Sequence, residues 1–317
     1  MVSDLLSCGM NTSFNSYESQ RLFRENGPFY HINSKAVADV LFLNDEERNL
    51  AVLYLAISAI ESNVIILAYH LMSNHIHAIV RGSGSREFYD AFAGKMNTYY
   101  KRHGRRDIRF PEVPSVVPIN TLEQLRVEIV YVLRNQYAVD NSVNPFSYPW
   151  SSGFLYFNPV LERILDTLEY VDSGNMSQRQ VRRITFTGNT SLPGGLKIIG
   201  GRVAPSSFVD YKFVERLFDN ARSFMMAMFK KVEAQVETAV RLGEDPFLPD
   251  DELSGVIWKF CKTTWDVDGP RKTNPVQKRE LAKHMKNVYH SSNGQIARIT
   301  GLDKLVVDEM FPSPAKP

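Results

Sequence analysis

Two histidines have the spacing that could hold a metal ion. His75 and His77 lie in the run 75–80, whose alternation of polar and apolar residues is typical of a strand. Side chains two residues apart in a strand point to the same face about 7 Å apart, so both imidazoles could bind one divalent cation. Two ordinary half-exposed histidines would give the same pattern, and the spacing alone leaves both interpretations open.

Tyr131 lies in a predicted helix, on the side away from the helix's apolar stripe. The stripe consists of Leu122, Leu125, Ile129, Val132 and Leu133, and the residues around Tyr131 are Gln124, Glu128, Arg134 and Asn135. Asn135 follows Tyr131 by four residues, so both side chains project from one face, one turn apart. A phenol can attack a phosphate that a nearby metal polarises. The alternative is a surface tyrosine on an amphipathic helix.

A positively charged segment separates the histidines from Tyr131 along the chain. Its cations are Lys95, Lys101, Arg102, Arg105, Arg106 and Arg109, its aromatic residues are Tyr99 and Tyr100, and only Asp107 opposes the charge. Cations beside aromatic rings favour the phosphates and unstacked bases of single-stranded nucleic acid. A solvated helix end is the alternative interpretation.

Hydrophobic periodicity predicts the elements that must position these residues. The predicted elements are a strand at 29–38, a helix at 44–62, strands at 64–69 and 75–80, and helices at 85–103 and 121–138. Asn44 with Glu47, and Thr121 with Gln124, are the capping signals that open two of these helices. With a short strand before the last helix, this order predicts an α+β fold, a ferredoxin-like α/β sandwich with an antiparallel sheet.

The composition places the chain among ordinary globular proteins. It has 317 residues, a formal net charge of +2 and 44% hydrophobic residues, which excludes disordered and disulfide-scaffold classes. The small net charge gives no global argument for nucleic-acid binding. No apolar run reaches the ~20 residues that span a bilayer, and the N-terminus lacks the pattern of a signal peptide. Cys8 and Cys261 are expected to be free thiols, and we expect a cytoplasmic protein with no membrane partner.

Several runs together resemble a known family. They are Gly27-Pro28-Phe29-Tyr30-His31-Ile32, Phe42-Leu43-Asn44-Asp45-Glu46-Glu47-Arg48, Ala68-Tyr69-His70-Leu71-Met72-Ser73-Asn74-His75-Ile76-His77, Tyr131-Val132-Leu133-Arg134-Asn135 and Tyr148-Pro149-Trp150-Ser151-Ser152. Over residues 27–155 this pattern resembles the single-tyrosine HUH transposases, in particular the REP-associated tyrosine transposases of bacteria.

The resemblance implies a metal-dependent single-strand DNA endonuclease and strand transferase. His75, His77 and Asn135 would be the ligands of Mg²⁺ or Mn²⁺, with Zn²⁺ as the rival ion by histidine chemistry. Tyr131 would attack single-stranded or hairpin DNA, leave a 5′-phosphotyrosine intermediate and free a 3′-OH that later rejoins strands. This chain has Gln136 where the family usually has proline, so Gln136 could replace Asn135 as a ligand.

The resemblance also implies partners and a location. The DNA would be bound by Lys95, Tyr99, Lys101, Arg102, Arg105, Arg106 and Arg109. The protein would be bacterial and associated with the nucleoid, and it could form a homodimer. The rival function is a catalytically silent DNA- or RNA-binding regulator, because a ferredoxin-like sheet is also a common RNA platform. The presence of both histidines, Tyr131 and Asn135 favours the enzyme. His70 is expected to be structural, because it lies in an apolar run.

The sequence divides into four predicted regions. They are an N-terminal arm at 1–26, the catalytic domain at 27–158, a helical accessory region at 159–260 and a helix-turn-helix-like unit at 261–317. The accessory region is expected to contain one long helix at 207–242, and the last unit three short helices at 275–289, 293–300 and 303–311. Acidic residues outnumber basic ones on the last helix, so DNA binding and a purely structural role both stay open for this unit.

Overall fold

The structure is a computed structural model that describes residues 13–139, 144–186, 192–229, 239, 241, 248 and 250–312. The described chain forms two compact units. The first takes the described residues up to 133 and those of 148–229, and the second takes those of 134–147 and those after 229. The predicted division into regions that end at 26, 158 and 260 stays a prediction.

The first unit contains a four-stranded sheet, a small three-stranded sheet and the helices around them. The helices are α1 Ser13–Asn26, α2 Asp45–Glu61, α3 Ser85–Arg102, α4 Leu122–Val139, α5 Leu161–Thr167, α6 Gln178–Thr185, α7 Tyr211–Phe218 and α8 Ala221–Phe229. The strands are β1 Phe29–Asn33, β2 Ile65–Leu71, β3 Ile76–Arg81, β4 Ser115–Ile119, β5 Val171–Asp172, β6 Lys197–Ile199 and β7 Arg202–Val203. Helix α4 begins in the first unit, and its last residues, from 134 on, belong to the second.

The large sheet has the strand order β2-β3-β1-β4, and all of its pairs are antiparallel. This order confirms the predicted α+β, ferredoxin-like fold. β2 lies at the edge of the sheet, although its apolar sequence is typical of a central strand. Its free edge is covered by the chain at 150–152 and at 209–210, where Leu71 N donates to Trp150 O at 3.0 Å and Asp210 N donates to Ile66 O at 2.9 Å.

Strand alternation gives the sheet two different faces. Ile76, Ala78 and Val80 pack into the main hydrophobic core together with residues of α2 and α3, such as Leu53 and Phe92. The residues between them on β3 point to the opposite face, because successive side chains of a strand alternate. His77 and the neighbouring strand's His31 therefore lie on the face away from α3, and α4 packs there.

Residues 13–26, which the sequence assigns to an irregular arm, form helix α1. Leu22 is buried, and the ring of Phe23 stacks on Phe29 of β1 with centroids 5.1 Å apart. Ser19 Oγ also donates to Asp219 at 2.5 Å. The helix is mostly polar and buries only a narrow strip, so its apolar periodicity is weak and the sequence pattern misses it.

The prediction of a single long helix at 207–242 is wrong over the described part of that segment. α7 ends at Phe218, and Asp219 takes a positive φ of 68° before α8 begins at Ala221. The carboxylate of Asp219 pairs with Arg126 of α4 at 3.3 Å. This pairing favours a turn where the apolar pattern alone would continue the helix. Residues 230–238, 240 and 242 lie outside the described residues.

The second unit has a helical core of its own. Its helices are Asp250–Trp265, Pro275–Tyr289, Asn293–Thr300 and Lys304–Met310, which we call α9 to α12. Three of these helices confirm the predicted ones at 275–289, 293–300 and 303–311. Gly301, with φ 67°, ends α11 before α12 begins. Asp308 of α12 pairs with Lys304 and accepts a hydrogen bond from Asn293 at 2.9 Å, and the DNA-binding role of this unit stays a prediction.

Two expectations from composition bear on the described residues. No helix among them is long and apolar enough to cross a membrane. Cys261 is a buried free thiol, whereas Cys8 lies outside the described residues.

The loop before α3 packs closely against the end of α2, and this contact can be tested by substitution. A Cβ on Gly84 would lie 2.2 Å from the carbonyl oxygen of Ser62, whereas a Cβ on Gly94, within α3, meets nothing within 4 Å. We expect Gly84→Ala to lower the free energy of unfolding by about 2 kcal/mol, because backbone must shift on both sides. Gly94→Ala is the matched control and should raise it by about 0.5–1 kcal/mol, because alanine is the better helix former.

Denaturant unfolding followed by circular dichroism measures both changes. Equal stability of the two variants would contradict this packing.

Candidate functional site

The β2–β3 hairpin places His75 and His77 together at its end. Met72 N donates to His75 O at 2.9 Å, which closes the turn, and the two imidazole centroids lie 4.8 Å apart. His75 Nδ1 lies 2.8 Å from Asn74 Oδ1, and Asn74 Nδ2 donates to Val37 O at 3.0 Å. The ring of His75 is therefore held by a side chain that is itself anchored to the backbone.

His77 is held by a second chain of hydrogen bonds. Its Nδ1 lies 3.1 Å from Nε2 of His31, and Nδ1 of His31 lies 2.9 Å from Oε2 of Glu128. The other carboxylate oxygen of Glu128 accepts from Gln124 Nε2 at 2.9 Å. The side chains of His31 and Glu128 have no exposed surface, so the chain joins β3, β1 and α4 inside the unit.

Helix α4 brings Tyr131 next to these imidazoles. The Tyr131 ring is half-buried, with its centroid 5.7 Å from that of His77 and 6.0 Å from that of His31. The structure thus brings Tyr131 next to the His75–His77 pair, although Tyr131 lies more than fifty residues after that pair in sequence. Because Tyr131 follows Glu128 by three residues, both project from one side of α4.

Asn135, the predicted third ligand, lies one turn after Tyr131 on α4. It belongs to the second unit, and the side chain of its rival Gln136 lies outside the described residues. The ligand role of either residue stays a prediction.

The environment keeps the two predicted metal ligands neutral. Burial lowers the pKa of His75 from 6.5 to about 4. Burial also lowers the pKa of His77 well below its usual value, and the neighbouring His75, His31 and His70 act in the same direction. An imidazole binds a metal only in its neutral form, so both rings are in the binding-competent state at neutral pH.

The residues present fit a divalent cation that takes two ligands from histidines and the rest from amide, phosphate or water oxygens. Among the described residues, no group of three or more His, Cys, Asp or Glu side chains could hold a metal ion. His75 and His77 would supply two nitrogens, and amide, phosphate or water oxygens would complete the shell. Such an oxygen-rich shell suits Mg²⁺ or Mn²⁺ better than it suits a closed zinc site.

His70 lies opposite His77 in the β2–β3 pairing and is fully buried. Its ring stacks on Tyr148 with centroids 4.7 Å apart and 11° between planes. Neither ring nitrogen has a hydrogen-bond partner within the described chain. Burial, with a smaller effect of His75, lowers the pKa of His70 to about 3. This environment is consistent with the structural role that the sequence predicts.

The run Tyr148-Pro149-Trp150-Ser151-Ser152 covers the edge of β2. Tyr148 Oη donates to Leu71 O at 2.9 Å, and Ser152 N donates to Tyr69 O at 3.1 Å. The guanidinium of Arg48 lies 4.6 Å from the centre of the Trp150 ring. These contacts support the hairpin that carries His75 and His77.

The predicted DNA-binding residues occupy different environments. Lys95 pairs with Glu61, Tyr99 is 8% exposed and stacks on His103, and Arg105 pairs with the buried Glu47 at 2.7 Å. The exposed members of the set are Lys101, Arg102, Arg106 and Arg109. Phosphate binding needs accessible cations, so the DNA-binding prediction now rests on these four residues.

Hydrogen bonds connect this basic segment to the histidine hairpin. Arg105 donates to the carbonyl oxygens of Val40 and Leu41 at 2.6 and 3.0 Å. Leu41 N in turn donates to Ser73 O at 2.8 Å, two residues before His75. Although α3 packs on the sheet face away from His77, the guanidinium of Arg105 therefore binds the same segment, Val40–Leu41, that contacts the tip of the hairpin.

No motif or spacing in the sequence assigns a catalytic or ligand role to His31 or Glu128. Their separation of 97 residues hides the contact from any local pattern. A usable signal exists: His31 lies in a strand, and Glu128 lies one turn before Tyr131 on a helix. A carboxylate and an imidazole on facing elements are candidates for a buried pair.

Comparisons with known proteins give one structural similarity. No protein-family model and no curated protein matches the chain. The chain is similar to a solved structure of a REP-associated tyrosine transposase bound to a REP hairpin, with a TM-score of 0.31 and 16% sequence identity. The matched region covers 44% of this chain and 81% of the other. A similarity of this size does not establish a shared activity.

The environment of Arg105 predicts that it acts on stability. We expect Arg105→Met to lower the free energy of unfolding by about 3 kcal/mol, because Glu47 would keep a buried charge without its partner. Arg106→Met, at an exposed neighbouring site, is the matched control and should change stability by less than about 0.5 kcal/mol. Thermal and denaturant unfolding measure both. An Arg105→Met protein as stable as the wild type would contradict the structural role of this ion pair.

Buried His70 predicts a loss of stability in acid. The unfolded chain takes up a proton near pH 6.5 and the folded chain only near pH 3, so stability is complete above pH 6.5 and falls below it. His70 accounts for about 3 kcal/mol of this loss on going to roughly pH 4.

We expect His70→Phe to keep the stacking on Tyr148 and to reduce the loss by that amount. Unfolding free energies measured between pH 7 and pH 4 test this, and an unchanged pH slope would contradict it.

Proposed function

We propose that this protein is a DNA strand transferase that cleaves and rejoins single-stranded DNA through Tyr131. The observation that supports it most is the position of the Tyr131 ring, 5.7 Å from that of His77 and within the same chain. A tyrosine that served only for packing would not need histidine rings beside it. A half-buried phenol beside neutral imidazoles has the residue types for covalent attack on a phosphate.

The proposed reaction exchanges one phosphoester bond for another. The Tyr131 oxygen bonds to the scissile phosphorus, the bond from phosphorus to the 3′ oxygen breaks, and a 5′-phosphotyrosine is formed. The phenol releases its proton to solvent and the departing 3′ oxygen takes one up, so atoms and charge balance. Attack by a 3′-OH reverses these events and rejoins a strand. His31 is not the base for this step, because both of its ring nitrogens are engaged by His77 and Glu128.

His75 and His77 are proposed to hold Mg²⁺ or Mn²⁺, with Asn135 or Gln136 as a further ligand. The cation, when bound, would polarise the phosphate and so favour attack by a phenol. The protein's own contribution is to hold both imidazoles neutral and in place before DNA binds. Zn²⁺ remains the rival ion for a histidine pair.

Hairpin-forming single-stranded DNA is the proposed substrate class. The transposase in the similar structure is bound to a REP hairpin, and the sequence motifs of this chain resemble the same family. Lys101, Arg102, Arg106 and Arg109 would contact the phosphates beside the cleavage site. Lys101 and Arg102 end α3, Arg106 and Arg109 follow it, and all four side chains are exposed and accessible to phosphates.

A covalent adduct tests this proposal. The full-length protein is incubated with labelled single-stranded hairpin oligonucleotides and Mn²⁺, and the mixture is separated on a denaturing gel. We expect an adduct with the wild type and none with Tyr131→Phe, because the variant lacks the oxygen that bonds to phosphorus. Tyr170→Phe, at an exposed tyrosine of the same unit, is the matched control and should form the adduct normally.

His77→Ala and His75→Ala separate chemistry from binding. We expect both to abolish the adduct while DNA affinity changes less than about threefold, because cation–phosphate contacts dominate affinity. An adduct that persists in Tyr131→Phe overturns the proposal. Tight binding without an adduct on every hairpin would favour the catalytically silent DNA- or RNA-binding regulator instead.

A further inference from the structure

We propose that a cavity between α2, α6 and the small sheet binds an unstacked base of single-stranded DNA together with its phosphate. The cavity has a volume of about 610 Å³, which lies in the range of ligand-binding sites. The described residues that line it belong to α2, α6, the strands β5 to β7 and the loops beside them, and none belongs to the large sheet or to α4. The inference rests on the proposed function only in taking single-stranded DNA as the ligand, and it assigns no chemical step to the cavity.

The cavity combines buried aliphatic side chains with exposed aromatic rings. Leu50, Leu53 and Ile198 line it and are buried. Tyr170 and Phe186 also line it, but 50% of Tyr170 and 40% of Phe186 are exposed. Exposed apolar groups that cluster at a cavity are typical of a surface that a ligand covers. Aromatic rings in such a place stack on unpaired bases of single-stranded nucleic acid.

Neither exposed ring is stacked on another aromatic ring of the described chain. Phe186 meets Tyr99 at 66° and His103 at 90°, so both contacts are edge to face. The ammonium group of Lys197 lies 4.6 Å from the centre of the Tyr170 ring. A base that stacks on Tyr170 would therefore have a cation nearby for its phosphate.

Two guanidinium groups of the cavity are available for a phosphate. Arg183 of α6 and Arg202 of β7 line the cavity and are exposed, and neither has an acidic partner among the described residues. Arginine binds phosphate through paired N–H donors, so these two side chains have the chemistry that a nucleotide requires. Other arginines of the same unit do pair with acids: Arg48 with Asp45, Arg81 with Asp210, Arg86 with Asp90, Arg105 with Glu47, Arg126 with Asp219 and Arg216 with Glu18.

Two carboxylates of the cavity orient the ligand. Glu46 and Glu169 line it, and neither is in an ion pair with a described basic residue. A carboxylate repels phosphate but accepts a hydrogen bond from the N4 amino group of cytosine. The edge of the base would therefore face the carboxylates, and the phosphate would face Arg183 and Arg202. We expect cytosine to fit better than thymine, which has no amino group.

Contacts of Phe186 connect the cavity to the exposed cations at the end of α3. The ring centroid of Phe186 lies 5.8 Å from that of Tyr99 and 6.0 Å from that of His103. His103 directly follows Lys101 and Arg102, whose side chains are exposed. A strand needs cations spaced along its backbone, whereas a free nucleotide needs only one phosphate contact. Cations of α3 and of α6 next to one exposed ring therefore favour a strand.

The affinity for single-stranded DNA tests stacking on Tyr170. The full-length protein is titrated, with EDTA present, into a fluorescein-labelled oligodeoxycytidine of about 12 nucleotides, and anisotropy gives the dissociation constant. We expect Tyr170→Ala to raise this constant about 5- to 100-fold, because the stacking of one base is lost. Tyr170→Phe keeps the ring and should bind as the wild type does, as should Tyr17→Ala, at an exposed tyrosine outside the cavity. Unchanged affinity in Tyr170→Ala overturns the stacking role.

The salt dependence of the same affinity tests the phosphate contacts. Arg183→Gln and Arg202→Gln should each lower the slope of the logarithm of affinity against the logarithm of salt concentration by about 0.7–1. Arg163→Gln, at an exposed site outside the cavity, is the matched control and should leave the slope unchanged. Wild-type slopes in both cavity variants overturn the phosphate contacts.

The identity of the ligand is tested with the wild type. Oligothymidine should bind more weakly than oligodeoxycytidine, and equal affinity overturns the role of the carboxylates. A large excess of dCMP should displace the labelled strand only weakly, because a single nucleotide makes few of the ionic contacts. Displacement by dCMP at concentrations near the dissociation constant of the oligonucleotide overturns the strand and assigns the cavity to a free nucleotide.

Photocrosslinking locates the bound base without any variant. A single strand that contains 5-iododeoxycytidine is irradiated with the wild-type protein, and tryptic peptides are mapped by mass spectrometry. Peptides 164–179 and 184–197 each contain a single aromatic residue, Tyr170 and Phe186 respectively. We expect crosslinks on at least one of these peptides, and crosslinks confined to other peptides overturn the site.

The outcomes also separate this inference from the proposed function. Crosslinks at the cavity in a protein that never forms a DNA adduct would overturn the strand-transfer function and leave the binding site intact. A normal adduct, with wild-type affinity in Tyr170→Ala and no crosslink at the cavity, would overturn the binding site and leave the function intact.

Discussion

A carboxylate and an imidazole without any exposed surface, Glu128 and His31, are the pair on which the arrangement of the site depends. A buried polar group that loses its hydrogen-bond partner costs free energy of folding, so the contact with His31 keeps Glu128 of α4 against β1. Tyr131 is three residues further along α4, and its ring is therefore held near His77. His31, which holds Glu128 and with it α4, is also hydrogen-bonded to His77. One contact therefore positions both the Tyr131 phenol and the His77 imidazole.

The local part of this arrangement could be predicted from the sequence. Apolar periodicity and the Asn44 cap predict α2, alternation predicts the β2–β3 hairpin, and the spacing of His75 and His77 places both rings on one face. These features depend on residues a few positions apart. The contact between His31 and Glu128 depends instead on how β1 and α4 pack, and no local pattern contains that information. Residue type alone likewise groups Arg105 with the DNA-binding cations, whereas its neighbour Glu47 makes it part of the core.

The wrong expectations have one physical origin. Helical periodicity records which side chains are apolar, but it does not record backbone conformation or a polar side chain's partner. The segment at 207–242 keeps its apolar pattern through Asp219, where the ion pair with Arg126 favours a turn. Helix α1 shows the converse, since a mostly polar helix in which Leu22 is the buried apolar residue among the described side chains gives a weak pattern. A long-range ion pair decides the first case, and a narrow apolar strip explains the second.

Peptide mapping of the covalent adduct tests the central claim most directly. Trypsin cleaves after Arg126 and Arg134, and the peptide 127–134 between them contains a single tyrosine, Tyr131. After reaction with a hairpin oligonucleotide and nuclease trimming, we predict that mass spectrometry finds the nucleotide on this peptide through a phosphotyrosine. A nucleotide attached to any other peptide, or none on peptide 127–134 when an adduct is present, would contradict the account.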